Sequence, residues 1–212
     1  MERHDSKTRL RLLKAAGEIF SKKGFRAATI REICAKAGAN VAAVNYHFGD
    51  KGGLYMAVLD AIMRDAFDSH PMGLSEQGGI EEQLKYFVRT LLKRIFHTGD
   101  SKDPEGEGRL VAYAMSAPSP ALDVLVERYV KPMSAELRAI LAGLLDVDVE
   151  HGAVWLCAKS IVGQCMHYLY GSALMKRLGA MEDNTEGIEQ IIEHIVRFSL
   201  GGIRHISEGL RS

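Results

Sequence analysis

Ala28-Thr29-Ile30-Arg31-Glu32-Ile33-Cys34-Ala35-Lys36-Ala37-Gly38-Ala39-Asn40-Val41-Ala42-Ala43-Val44-Asn45-Tyr46-His47-Phe48-Gly49-Asp50-Lys51 reads as two short helices around a glycine turn. Thr29 followed three residues later by Glu32 is a capping box, so the first helix starts just after Thr29. Ile30, Ile33, Cys34 and Ala37 give that helix one apolar stripe, and Gly38 ends it. Asn40 caps a second short helix in which Val44 and Phe48, four apart, point inward. That leaves Asn45, Tyr46 and His47 at least partly outward. Two helices this short, joined this tightly, make a helix-turn-helix.

Working outward, Leu10, Leu13, Gly17 and Phe20 recur at helical spacing ahead of the motif, which predicts a helix over 7–23 stopped at Gly24. Beyond the motif the periodicity is helical throughout. A fourth helix runs from Leu54 to about Phe67, and a fifth carries Ile80, Leu84, Phe87, Val88, Leu91 and Ile95. Residues 99–108, with Pro104 and mostly polar side chains, read as a loop. A short helix over 110–115 stops before Pro118 and Pro120, and a longer one reaches Leu145 with a kink at Pro132. A helix over 149–178, a loop over 179–185 and an apolar last helix through Ile206 complete the chain. The expected fold class is therefore all-α with about nine helices: a helix-turn-helix domain over 1–51 and a helical domain over 52–212.

The formal net charge of zero hides an asymmetry. Residues 1–51 hold 11 Lys and Arg against 5 Asp and Glu, +6, while residues 52–212 hold 16 against 22, −6. A basic head on an acidic body is the outline of a protein that docks end-on to phosphate, so double-stranded DNA is the expected partner. A non-specific architectural protein would be basic throughout. Tyr46, His47 and Lys51 are the expected phosphate contacts, with the helix N-terminus at Thr29 donating to a further phosphate. An isolated Tyr-His pair more often packs or caps; here the capping box and the +6 segment favour phosphate contact. Reading of base edges falls to Asn40, Ala43 and Asn45, with Ala43 placed to touch a thymine methyl.

These residues carry a family resemblance. Ala28-Thr29-Ile30-Arg31-Glu32-Ile33, Ala37-Gly38-Ala39-Asn40 and Tyr46-His47-Phe48-Gly49-Asp50-Lys51, with Leu54 following, resemble the TetR family of repressors over about the first 60 residues. The resemblance implies a homodimer that binds a palindromic operator and releases it when a small-molecule effector enters the C-terminal domain. Two departures stand out: Asn45, where an aromatic is usual, and Gly52-Gly53, where helix formers are usual. Each glycine weakens a helix start by about 1 kcal/mol relative to alanine, which predicts a soft join after the motif. Arg109, Pro118-Ser119-Pro120-Ala121-Leu122, Val130-Lys131-Pro132 and Ile161-Val162-Gly163-Gln164-Cys165 look similar to the CecR-like subgroup. That likeness implies a ligand pocket among the middle helices and a dimer built from the last two.

Sequence physics points to the same division. Gly152, Ala158, Gly163, Gly171 and Ala173 permit close approach to a helix over 149–178, and the last helix is more apolar than one chain can cover. Two helices from each of two copies are expected to form the interface, against the simpler reading that both merely finish the monomer core. Phe87, Tyr113, Met115, Trp155, Met166, His167 and Tyr168 are the candidate effector contacts, bulky or polarizable groups with a few polar atoms.

No cofactor or metal is expected. Cys157 and Cys165 lie eight residues apart, about 12 Å along a helix, too far to share one tetrahedral ion with His167. Three cysteines without a CxxC indicate free thiols rather than a disulfide framework. No GxSxG, HExxH or glycine-rich phosphate loop occurs, so a catalytic role is not expected. Apolar runs are broken by charge well before the ~18 residues of a membrane span and the start lacks an apolar signal core, so a cytoplasmic location is expected.

Overall fold

A computed structural model describes residues 2–71, 78–97, 103–116, 118–178 and 185–211, and among them every regular element is helical. In chain order these are α1 (Glu2–Ala27), α2 (Ile30–Ala37), α3 (Val41–Phe48), α4 (Lys51–Ser69), α5 (Ile80–Ile95), α6 (Pro104–Ser116), α7 (Pro120–Leu125), α8 (Lys131–Leu145), α9 (Gly152–Leu178) and α10 (Thr185–Arg211). A π-helical turn over Val126–Val130 joins α7 to α8. Counted as one continuous run, that stretch makes nine helices among the described residues.

The chain separates into two compact units, residues 1–66 with 98–125, and residues 67–97 with 126–212. In the first, α1 carries its buried side on Leu12, Ala15, Ala16 and Phe20. Ile33, Cys34 and Ala37 of α2, Val44 of α3, and Leu54, Tyr55, Val58 and Leu59 of α4 are buried in the same unit. Phe20 packs edge-on to Tyr55 with ring centroids 5.2 Å apart, and Phe25 lies 4.8 Å from the same ring. The core of the second unit is four-sided: Leu84, Phe87, Val88 and Leu91 from α5; Leu137, Ile140 and Leu141 from α8; Val154, Cys157 and Ile161 from α9; Ile192, Ile195 and Val196 from α10. Arg89 with Glu189 (2.9 Å) and Arg204 with Glu81 (2.7 Å) clip α5 to α10 at the surface. Pairs this exposed fix register more than they stabilise.

Three local readings are corrected. The helix α6 begins at Pro104, inside the expected 99–108 loop. Asp103 caps it, accepting the Gly106 N–H at 3.0 Å, and Pro104 sits where a missing donor costs nothing because first-turn N–H groups have no partner within the helix. Pro132 does not simply kink a helix: it stands in the first turn of α8, directly after the π turn. A proline cannot donate to the carbonyl four residues back, and the widened turn before it absorbs the mismatch. The helix α9 begins at Gly152 rather than near Val149, because Asp148 accepts the Glu150 N–H (2.8 Å) in a turn that holds Val149 outside the helix. The expected 179–185 loop lies outside the described residues except for Thr185, which begins α10.

Candidate nucleic-acid interface

The interface is assembled from the caps inward. The Glu32 N–H donates to Thr29 Oγ1 at 3.2 Å, and the Thr29 N–H donates back to Glu32 Oε2 at 3.1 Å, so the capping box is closed in both directions. Lys23 Nζ reaches Glu32 Oε1 at 2.5 Å and ties α1 to the start of α2. The Lys23 ammonium, then the Thr29 donors, hold the Glu32 carboxyl below the usual carboxylate range. At the other end Gly38 takes the left-handed conformation, φ 59°, and its N–H returns to the last turn of α2.

Asn40 then caps α3, its Oδ1 accepting the Ala43 N–H at 2.9 Å. Val44 is fully buried and Phe48 half-buried, with the Arg9 guanidinium 5.3 Å from the Phe48 ring. Opposite them α3 presents Val41, Ala42, Asn45 and Tyr46, all exposed, with Tyr46 at 76%. An aromatic side chain that open, on a helix with a packed back, has no structural task in the monomer. Its ring stands edge-on to His47 at 5.0 Å, so the two rings brace each other at the C-terminal end of the helix.

Lys51 opens α4. Its Nζ lies 4.7 Å from the Phe25 ring centroid and donates to the Arg26 carbonyl at 3.3 Å, which anchors the side chain beside the end of α3. Asp50 caps this helix by accepting the Gly53 N–H at 2.8 Å. The two glycines after Lys51 differ in role. A Cβ on Gly53 would stand 2.0 Å from the Phe48 carbonyl oxygen, whereas one on Gly52 would meet only the Asp50 carboxylate, at 3.2 Å. Gly53 is what lets the backbone at the end of α3 press against the first turn of α4. The soft join expected from Gly52-Gly53 is, at Gly53, a close backbone crossing.

Of the seven residues singled out from the sequence, Thr29, Asn40, Asn45 and Tyr46 are exposed, while Ala43, His47 and Lys51 are half-buried at the edge of the same region. Val41 and Ala42 share the open face and were missed, because a helix of eight residues carries too few inward positions to fix its rotation from periodicity. Arg31, exposed in the first turn of α2, adds a cation near Thr29.

The residues expected around an effector are divided between the two units. Phe87 is buried in the core of the second unit, and Met166 and Tyr168 pack against that core, with Tyr168 6.2 Å from Phe96. Trp155 is 39% exposed with the Arg138 guanidinium 4.4 Å from its ring, and His167 is exposed. Tyr113 and Met115 belong to α6, in the first unit, where Tyr113 is exposed and Met115 half-buried. Cys34, Cys157 and Cys165 are buried free thiols, and burial pushes Cys165 up to about 12. Among the described residues no three His, Cys, Asp or Glu side chains are grouped to hold a metal ion. No described helix is long and apolar enough to cross a membrane.

Comparison with known proteins agrees with this geometry. Residues 12–58 match the model for bacterial regulatory proteins of the tetR family, and residues 80–203 match the C-terminal domain of the HTH-type transcriptional dual regulator CecR. The chain is 25% identical over 207 residues to that regulator from Shigella flexneri, covering 91% of each chain. It is 30% identical over 147 residues to the uncharacterized HTH-type transcriptional regulator YvkB of Bacillus subtilis, covering 69% of this chain and 70% of that one. In fold it is similar to SCO4454, a TetR-family regulator of Streptomyces coelicolor, with a TM-score of 0.61 at 20% identity over 95% of this chain and 97% of that one. The chain therefore belongs to the TetR family of bacterial transcriptional regulators, DNA-binding proteins with an N-terminal helix-turn-helix, and carries a C-terminal domain of the CecR type.

Proposed function

We propose that the protein is a homodimeric repressor, working in the cytoplasm, that leaves a palindromic operator when a small molecule binds its C-terminal domain. The observation that carries this reading is the open face of α3, with Tyr46 exposed behind a double-capped helix in a +6 segment. Tyr46, His47 and Lys51 contact backbone phosphates, and the α2 N-terminus at Thr29 donates to another. Asn45 and the methyl groups of Ala42 and Ala43 meet base edges in the major groove, Ala43 from the rim of the face. Asn40 is already committed to the Ala43 N–H, so it orients the reading helix before it touches a base.

Dimerisation rests on a second open surface. Leu156 (65% exposed) and Gly163 lie along one stripe of α9. Phe198 (68% exposed), Gly201, Gly202 and His205 lie along one stripe of α10. A Cβ added at Gly163, Gly201 or Gly202 would meet nothing, which leaves room for a second backbone to approach. A two-fold copy covers such a stripe with itself. His167 falls on the α9 stripe, four residues after Gly163, and so joins the interface rather than the effector. The effector is held near Phe87, Met166 and Tyr168, where aromatic and thioether groups border one core. Its effect on DNA equals its differential affinity for the operator-competent and operator-released spacings of the two heads.

The test is a gel shift with the DNA upstream of the protein's own gene, followed by footprinting. The expected result is retardation that weakens steeply with added salt and one two-fold protected site, its halves about 34 to 36 Å apart. No retardation at low salt contradicts the proposal.

A further inference from the structure

The first half of α1 packs beside the reading helix and bears only positive charge. From Ser6 to Gly17 it holds four cations, Lys7, Arg9, Arg11 and Lys14, and no carboxylate, and all four are exposed. Leu12, Ala15 and Ala16 of the same stretch are buried, and α1 packs against both α2 and α3. Core packing therefore fixes where these cations stand relative to α3.

Arg9 is the one that reaches the end of α3. Its guanidinium lies over the Phe48 ring at 5.3 Å, the Phe48 ring is 6.0 Å from His47, and His47 is 5.0 Å from Tyr46. The cation thus continues the row of rings at the C-terminal end of α3. At an exposed site such an attraction is worth about 0.5 to 1 kcal/mol, enough to favour one position for the side chain. A guanidinium over a ring keeps its N–H donors at its own edge, in the fork that matches phosphate oxygens. Arg11 stands instead at the turn before α3, where a Cβ on Gly38 would lie 3.6 Å from its Nη1. It donates to Thr8 Oγ1 at 3.4 Å, so part of its donor set is used within α1.

We propose that Arg9 is a DNA contact, a phosphate clamp that α1 supplies at the edge of the groove entered by α3. The inference rests on α3 being the helix that meets DNA. Arg9 adjoins the side on which Tyr46 and His47 meet phosphate, and Phe48 belongs to α3, so the ring ties the cation to the reading helix itself. The first helix then joins α2, α3 and the start of α4 as a source of backbone contacts. Such a contact adds affinity without sequence preference, because it ends on the phosphate chain rather than on base edges.

Fluorescence anisotropy of a labelled mixed-sequence duplex of about 30 base pairs, titrated with the full-length protein between about 50 and 200 mM salt, measures this sequence-independent binding. For each protomer bound, Arg9→Gln is expected to lower the slope of log K against log salt by about 0.9, and the affinity by about eightfold at 0.1 M salt. Arg9→Lys keeps the charge and is expected to keep the slope. Lys14→Gln removes the same charge from the same helix, at a position beside Ala61 and Ile62 of α4, and is expected to change the slope by less than about 0.3. A purely structural role for the stacked guanidinium would weaken binding alike at every salt concentration and leave the slope intact. Both side chains are exposed, so the variants are expected to fold. An Arg9→Gln slope equal to that of the wild type, a Lys14→Gln slope lowered as far, or an Arg9→Lys slope that is lost overturns the proposal. If the wild type itself does not bind at the lowest salt, the reading of α3 falls with it, which separates the two failures.

Discussion

Replacing Gly53 by alanine tests how the reading head is locked to α4. The added Cβ would sit 2.0 Å from the Phe48 carbonyl oxygen and 3.1 Å from its carbon. Both atoms are backbone, so no rotamer change relieves the overlap and the α3–α4 corner must open by about 1 Å. Overpacking of this kind costs about 1 to 3 kcal/mol, and the absence of a side chain that can yield places it at the upper end. Alanine recovers about 1 kcal/mol through helix propensity, leaving a net loss of about 2 kcal/mol. For a chain of this size that is a fall of about 4 to 8 °C in the melting temperature of the transition that includes the head. Gly52→Ala is the internal control. Its Cβ meets only the Asp50 carboxylate at 3.2 Å, a side-chain end that can shift, so the propensity gain dominates and the variant melts at the wild-type temperature or slightly above. Circular dichroism gives the melts, and hydrogen exchange at Gly49 to Leu54 assigns the change to this corner. If Gly53→Ala is as stable as Gly52→Ala, the claim that Gly53 serves a close backbone crossing is wrong.

Thr29→Ala removes the α2 cap and is expected to destabilise the head by about 1 kcal/mol, while Thr29→Ser keeps most of it; chemical denaturation reads both, and equal loss in the two contradicts the cap assignment. The carboxyl of Glu32 is held low in the folded state, so the stabilisation it contributes is present above the ordinary glutamate value of about 4.3 and is lost as pH falls through the lowered folded value. Amide exchange in the first turn of α2, referenced to α9, should therefore accelerate on acidification in the wild type and not in Glu32→Gln. Tyr46→Ala should leave stability within about 0.5 kcal/mol of wild type, because the ring is exposed, yet weaken DNA binding by roughly tenfold or more. The Cys165 thiol, fully buried and pushed up to about 12, should resist iodoacetamide at pH 8 in the native protein and react once the chain is unfolded; rapid native labelling would contradict its burial.

Much of the head was legible because its signals are local. The pairing of Thr29 with Glu32, the Asn40 cap and the Gly38 stop each depend on residues three or four positions apart, and each forms as the spacing implies. The Gly53 constraint was not legible, because its cause is a carbonyl of the preceding helix brought up by a turn, and sequence shows only an unfavourable helix former. The same limit hid α6. Asp103-Pro104-Glu105-Gly106 has loop composition, and only the Asp103 side chain bonded to the Gly106 N–H reveals it as a helix start. For α9 the sequence identified bulky groups but not their rotation: Met166 and Tyr168 turn towards the core, whereas Trp155 and His167 turn outward. A near-continuous apolar helix offers no polar face from which to set that phase.

The account rests on two open α3 faces held in duplicate on one stretch of DNA. Sedimentation of the wild-type protein with a labelled duplex carrying its footprinted site measures this directly. Two protomers per duplex are predicted for the wild type, with no complex for Tyr46→Ala at the same concentrations and salt. One protomer per duplex, or an undiminished complex from Tyr46→Ala, contradicts it.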